Sequence, residues 1–281
     1  MQNFIKGGRS PKRWSNRISI RNLTYGSLTI ALVLVTTFAI KIPIPFTQGY
    51  IHPGDSMIFI TAILFGWRFG ALAGGIGSAM ADLLGGYAHW AIPTLIIKAI
   101  MGGLVGWVGH DLLKLKKHHL FSSLLTAGAI IAWVGFNFGI QAFLTKAMLS
   151  ETSLELTKSL ELTQEELILL IQKTNFWLSI TAIAIPIGII ILAYYLKKWD
   201  KNLFNPVQLL GMFMAGLWMV VGYYLAGSFI YGSFIVPILS IPANIVQFIG
   251  GLVIAYLILI PLKKIGFDNY FGVLGQERFK K

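Results

Sequence analysis

Six polar residues, Asp82, Lys98, Asn137, Gln141, Asn244 and Gln247, stand inside stretches that are otherwise apolar. In hydrocarbon each is costly unless paired or wet, so such residues mark either interhelical bonds or a ligand. The neighbouring loops add Gln48, Tyr50, His52, Asp55, Tyr87, His89 and Trp90. Aromatic faces with hydrogen-bonding tips suit a small, flat, polar ligand, on which rings stack while a few polar groups fix its orientation. This is binding chemistry rather than catalysis. The chain has no cysteine, no HExxH among its five histidines and no GxxxxGK[ST] phosphate loop. Thiolate chemistry, that zinc-protease signature and ATP hydrolysis on a P-loop are therefore excluded, and neither a catalytic set nor a metal site is expected.

Two readings stand for most of these residues. Asp55 follows Pro53-Gly54 and opens an apolar helix, so it either caps that helix through the first free amides or faces a ligand. Lys98 lies five residues beyond Pro93, too deep for an ordinary interfacial anchor. It is either neutralised by Asp82 or touches a ligand directly. Asn244 and Gln247 share one helical face just below Pro237 to Pro242 and should point into the bundle. Ligand contact is expected there, with an interhelical bond to backbone or to Tyr223 as the alternative.

The elements that must position these groups follow from composition. The chain has 281 residues, 56% hydrophobic and 12% charged, and the bilayer is its expected solvent. Eight apolar segments fall at 23–42, 55–66, 70–86, 92–109, 120–147, 175–196, 208–228 and 234–260. The first is longer than a signal-peptide core and reads as a retained span. With the N-terminus inside, all of the 23 Lys and Arg except Lys41, Lys98, Lys146, Lys158 and Lys173 fall on the cytoplasmic side. The positive-inside bias thus places both termini in the cytoplasm of a cell-membrane protein. It also accounts for the net charge of +12 without nucleic acid. The expected organisation is a basic segment 1–22, one transmembrane domain 23–262 and a tail 263–281.

The long outer loop at about 149–174 carries five glutamates among leucines, with a Thr163–Glu166 capping box. One or two helices lying along the outer surface are expected there, as an amphipathic connector or a lid. Gly70, Gly74, Ser78 and the adjoining Ala71, Gly75, Ala79 form small-residue strips that permit close helix contact, within this chain or with a partner.

Three blocks resemble the substrate-binding S components of energy-coupling factor (ECF) transporters, in the riboflavin or hydroxymethylpyrimidine group. They are Gly49-Tyr50-Ile51-His52-Pro53-Gly54-Asp55, the glycine-rich 70–86 stretch running into Tyr87-Ala88-His89-Trp90-Ala91-Ile92-Pro93 and on to Lys98, and Met219 to Tyr224 with Ile241 to Gln247. The resemblance covers about 23–110 and 208–262. It implies a six-helix bundle that captures a vitamin near the outer face, here with two additional spans inserted at 118–207, giving an all-α integral membrane protein of eight spans. It also implies partners, a T component and two ATPases that hydrolyse the ATP, and no cofactor on this chain. The T component would meet a first-helix strip that is here Ala31, Val35 and Ala39, with valine in the middle position.

The function expected is therefore a non-enzymatic vitamin-binding subunit, with a stand-alone ion-coupled permease using Asp82 and Lys98 as the alternative. The expected substrate contacts are Tyr50, His52, Asp55, Tyr87, His89, Lys98, Tyr223, Asn244 and Gln247. Hydroxymethylpyrimidine, pyridoxine and a riboflavin-like flavin all suit this set, and Lys98 with His89 would suit a carboxylate such as pantothenate.

Overall fold

The computed structural model describes residues 20–112, 118–148, 152–199 and 206–266. Most of the basic N-terminal segment, Lys114, Lys116, Lys117, Lys201 and the tail beyond 266 lie outside the described residues. Apolar runs in lipid must satisfy their own amides, and helices do so locally. They are α1 (Ile20–Ala39), α2 (Gly54–Phe65), α3 (Trp67–Leu72), α4 (Ser78–Leu84), α5 (Ala88–Gly106), α6 (His118–Met148), α7 (Thr152–Leu160), α8 (Gln164–Trp199), α9 (Pro206–Tyr231) and α10 (Ile241–Lys264). A π turn, Ala73–Gly77, joins α3 to α4, and a 3-10 turn, Val236–Ser240, leads into α10. Between α1 and α2, β1 (Ile42–Ile44) and β2 (Gly49–Ile51) form an antiparallel hairpin with Ile42 opposite Ile51 and Ile44 opposite Gly49.

Among the described residues six helical stretches are long and apolar enough to cross a membrane: Ile20–Ala39, Ala88–Asp111, His119–Met148, Gln164–Tyr195, Pro206–Tyr231 and Val236–Lys264. The protein is a mainly helical, multi-pass membrane protein. The two shorter expected segments are present as α2 and the α3–α4 run. With 12 residues α2 extends only about 18 Å, short of a ~30 Å hydrocarbon core, so six of the eight expected segments qualify as spans by length and apolarity.

The 149–174 segment holds one separate helix, α7, of the one or two expected. The capping box forms, with Glu166 Oε2 accepting from the Thr163 amide at 2.8 Å and Thr163 Oγ1 from the Glu166 amide at 3.2 Å. It starts α8 itself. Leu167 and Ile171 are buried, so 164–174 continues the long helix instead of forming a separate surface helix, and only α7 remains as a connector.

Packing separates two regions. In the first, α5 lies between α3 and α9, while α10 packs on α2. A side chain at Gly70 would place its Cβ 2.6 Å from Gly102 O, one at Gly102 would meet Gly70 O at 2.1 Å, and one at Gly74 would meet Lys98 O at 2.6 Å. The small-residue strip of α3 therefore serves backbone contact with α5 inside this chain. Gly66, with φ of 87°, makes the turn from α2 into α3. On α1, Thr29, Val33 and Thr37 face inward at four-residue steps, and Ala31, Val35 and Ala39 occupy the opposite, exposed face. In the second region α6 and α8 pair around Trp133, Leu144 and Leu178, all fully buried, and Trp133 Nε1 donates to Thr181 O at 3.0 Å.

Candidate ligand pocket

The hairpin, the C-terminal ends of α4 and α9 and the N-terminal ends of α5 and α10 meet at one end of the first region. They enclose a cleft of about 520 Å³, counting its open mouth. The hairpin contributes Ile44, Thr47, Gly49, Tyr50 and His52, and α4 contributes Asp82. Trp90 and Thr94 enter from α5, Tyr223 and Tyr231 from α9, and Asn244 and Gln247 from α10. The Trp90 ring lies edge-on to Tyr223 at 5.7 Å and to Tyr231 at 6.1 Å, and Tyr50 packs on Tyr87 at 4.6 Å. Such edge and tilted contacts hold aromatic walls rigid while leaving faces free to stack.

The hairpin is tied down by side chains far away in sequence. Trp90 Nε1 donates to Gln48 O at 2.9 Å, the Gln48 amide donates to the Tyr231 hydroxyl at 3.0 Å, and Tyr50 donates to Asp82 Oδ1 at 2.7 Å. Burial, followed by the Asp82 charge, pushes the Tyr50 phenol well above its usual range, so it stays a neutral donor. Burial holds His52 down to about 3, with Asp55 opposing that shift and Lys98 and Lys41 adding to it. Its Nδ1 accepts from the Gly54 amide at 3.1 Å, which leaves the proton on Nε2.

Beneath the pocket floor lies a buried polar network. Lys98 and Asp55, both fully buried, form an ion pair. Lys98 Nζ also donates to Met219 Sδ at 3.0 Å and stands 5.4 Å from the Tyr223 ring centroid. Gln247 Nε2 donates to Asp55 Oδ2 at 2.9 Å, and Gln247 Oε1 accepts from the His52 amide at 3.2 Å. One carboxamide thus links the ion pair to the hairpin. Removing either charge would strand the other, whereas the intact pair with its extra bonds is compensated.

These contacts redistribute the expected site residues. Tyr50, His52, Tyr223, Asn244 and Gln247 line the cleft. Asp55 does not cap α2: Pro53 holds the cap position, and the carboxylate turns to Lys98 and Gln247. The expected Asp82–Lys98 pair is absent, because Asp82 ends its helix level with Tyr50 while Lys98 sits deeper along α5. Tyr87 backs Tyr50 without lining the cleft, and His89 is exposed. Tyr223 donates to Thr94 Oγ1 at 3.2 Å rather than meeting the α10 carboxamides. Gln247 has both ends of its amide engaged, while Asn244 has only a 3.5 Å contact to Ser240 Oγ.

Asn137 and Gln141 belong to the α6–α8 contact, the former donating to Trp133 O and the latter accepting from Ser179, and neither lines the cleft. Thr94 and Tyr231 escaped sequence reasoning. Tyr231 is two helical turns beyond Tyr223 with Gly227 between, an eight-residue spacing that signals a shared face.

A family model described as ECF-type riboflavin transporter, S component, matches residues 17–160 and 167–264. A protein of Pyrococcus woesei described as "uncharacterized protein in gap 3'region" is 53% identical over 75 residues, 27% of this chain and 50% of that protein. The thiamine precursor transporter HmpT of Lactococcus lactis subsp. cremoris (strain MG1363) is 30% identical over 122 residues, 43% of this chain and 71% of its own length. The chain therefore spans half the length of the first of these curated relatives.

Proposed function

The chain belongs to the ECF-type riboflavin transporter S-component family, a family of transporter subunits rather than enzymes, and on that premise we propose that it is the substrate-binding membrane subunit of an ECF-type ABC importer. It captures a vitamin or vitamin precursor of the hydroxymethylpyrimidine, pyridoxine or riboflavin type at the outer face. A T component and two ATPase subunits take the loaded protein through the transport cycle and supply the ATP hydrolysis. The observation that carries this reading is the pocket: rings, polar tips and one carboxylate gathered at one end of the bundle under a tethered hairpin. The thiamine-precursor relative supports a ligand of pyrimidine size.

The positive-inside bias supports an outer location for the pocket end, cytoplasmic termini and passage of all eight apolar segments through the bilayer region. The exposed Ala31, Val35 and Ala39 face of α1 is the proposed docking strip for the T component, where small side chains permit close approach. The alternative of an ion-coupled permease has lost its motivating pair, since Lys98 is held by Asp55 in the buried network.

The decisive experiment is mass spectrometry of the small molecule that copurifies with the protein, combined with uptake in cells expressing a T component and two ATPases. A bound vitamin-class ring and uptake that stops on ATP depletion are expected. Uptake by this chain alone, collapsed by an ionophore and indifferent to ATP, overturns the assignment.

A further inference from the structure

Asp82 is 5% exposed and lines the cleft, where only one of its carboxylate oxygens is satisfied. Oδ1 accepts from the Tyr50 hydroxyl at 2.7 Å, whereas Oδ2 is buried with no hydrogen-bond partner among the described residues. The Thr94 hydroxyl accepts from Tyr223 and keeps its own proton for the Asp82 carboxylate, so Tyr50 and Thr94 are its neighbouring hydroxyl donors while Oδ2 stays open. A buried acceptor left unmatched is costly, more so when charged, so its persistence at a pocket wall points to a donor brought by the occupant.

The surrounding cations do not supply that donor. Lys98 is engaged by Asp55 and Met219 below the floor. Lys41 holds its ammonium among rings, 4.1 Å from the Phe38 centroid, 5.2 Å from Tyr50 and 5.7 Å from Tyr87. His52 is neutral, with Nδ1 already used by Gly54. In its ionised form Asp82 is an acceptor-only group beside aromatic walls, a combination that repels carboxylates and phosphates. A flat ring lying against Trp90 and Tyr223 delivers donors in its own plane. An amine conjugated to such a ring carries two polarised N–H groups in that plane.

Resting on the pocket reading above, we propose that Asp82 is the specificity-determining residue of the cleft and accepts from the exocyclic amine of an amino-substituted heteroaromatic ring. The same chemistry disfavours the carboxylate ligand that Lys98 and His89 suggested from sequence. Asn244, whose carboxamide is nearly unpartnered, complements a ring nitrogen or hydroxyl on the same molecule.

The test uses the purified full chain with four probes: 4-amino-5-hydroxymethyl-2-methylpyrimidine, its analogue with hydrogen in place of the amine, riboflavin and pantothenate. Wild type should bind the amino probe roughly 10–100-fold more tightly than the des-amino analogue, the range of one charge-assisted hydrogen bond. Asp82→Asn should shrink that preference to a few-fold at most, and Asp82→Glu, which restores a carboxylate, should recover part of it. A merely structural Asp82 would alter both probes equally, and that result overturns the proposal. So does equal binding of the two pyrimidines by wild type, or tighter binding of pantothenate. If riboflavin alone binds and Trp90→Ala abolishes it, the amine assignment fails while the pocket reading survives. If no probe responds to Trp90→Ala, the pocket reading fails as well.

Discussion

The pocket bundle and the α6–α8 hairpin use the same residue types in opposite ways. In the bundle, glycines are contact points: Gly70, Gly74, Gly102 and Gly106 bring backbones so close that an added Cβ would fall 2.1–2.6 Å from a neighbour. In the hairpin, an added Cβ at Gly128, Gly135, Gly139 or Gly188 would meet nothing within 4 Å. Polar residues divide likewise. Asp55, Lys98 and Gln247 form one network joining three helices and a hairpin, whereas Asn137 donates to a carbonyl of its own helix. Tight backbone contact and linked polar groups give a fixed floor on which a ligand site can be held, while the hairpin relies on side-chain packing that tolerates change.

The sharpest way to break that comparison is through the buried charges. Lys98→Met should destabilise the bundle by about 3–5 kcal/mol by stranding Asp55, with much of the loss recovered in Lys98→Met/Asp55→Leu. Asn137→Leu in the hairpin should cost less than about 1 kcal/mol. Thermal unfolding in detergent reads all three, and equal losses at Lys98 and Asn137 would erase the distinction.

Next in size is the glycine contrast. Gly102→Ala should cost about 1–3 kcal/mol or more, because the obstacle is the Gly70 backbone, which cannot rotate away. Gly135→Ala should be neutral or gain a few tenths of a kcal/mol through helix propensity. The two substitutions are chemically identical, so opposite signs in melting temperature isolate packing as the cause.

Within the pocket, Asn244 and Gln247 separate function from fold although they share one helical face. Asn244→Leu should weaken ligand binding by about 1–3 kcal/mol with little change in unfolding. Gln247→Leu should lower stability as well, since it frees Asp55 Oδ2 and the His52 amide together. Calorimetry alongside unfolding distinguishes them. Identical behaviour of the two variants would show that the floor and the ligand site are not distinct.

A last contrast is in the pH dependence of hairpin closure. Above pH 6.5 His52 is neutral in closed and opened forms and contributes no pH dependence. Below that, the opened form takes a proton that the closed form refuses until about pH 3, so closure weakens as pH falls. The loss should be roughly 1.6 kcal/mol between pH 6.5 and 5. Hydrogen exchange of the hairpin amides should follow it, and His52→Gln should flatten the profile. The α6–α8 amides should show no such trend.

Much of the site was legible because lipid leaves polar groups few options. A carboxamide pair three residues apart in an apolar helix has to face the interior, and Asn244 and Gln247 do. The aromatic and imidazole groups around Tyr50, His52 and Trp90 likewise lie where the loop pattern placed them. Spacing also made the small-residue strip of α3 visible, though not which surface it meets. The α6–α8 pair was visible as two spans, but the point at which α8 starts was not, because the 164–174 stretch looks amphipathic until packing buries Leu167 and Ile171.

What the sequence determined by itself is the membrane class, the helical segments, the polar residues that need partners and the lack of a P-loop signature and of cysteine. Periodicity, hydropathy and inventory are one-dimensional properties, and these conclusions depend on nothing else. Tertiary structure alone decided who partners whom. Asp82 is only 16 positions before Lys98 and looked like its counter-ion, yet the carboxylate that neutralises Lys98 is Asp55, 43 positions away. An ion pair is set by depth along the bundle and by the face each helix turns inward. The length of α2, the close α3–α5 contact and the fold-back of α10 fix those coordinates together. They leave Asp82 with an open oxygen at the pocket wall and spend Gln247 on the floor, an assignment that exists only once all the helices are packed.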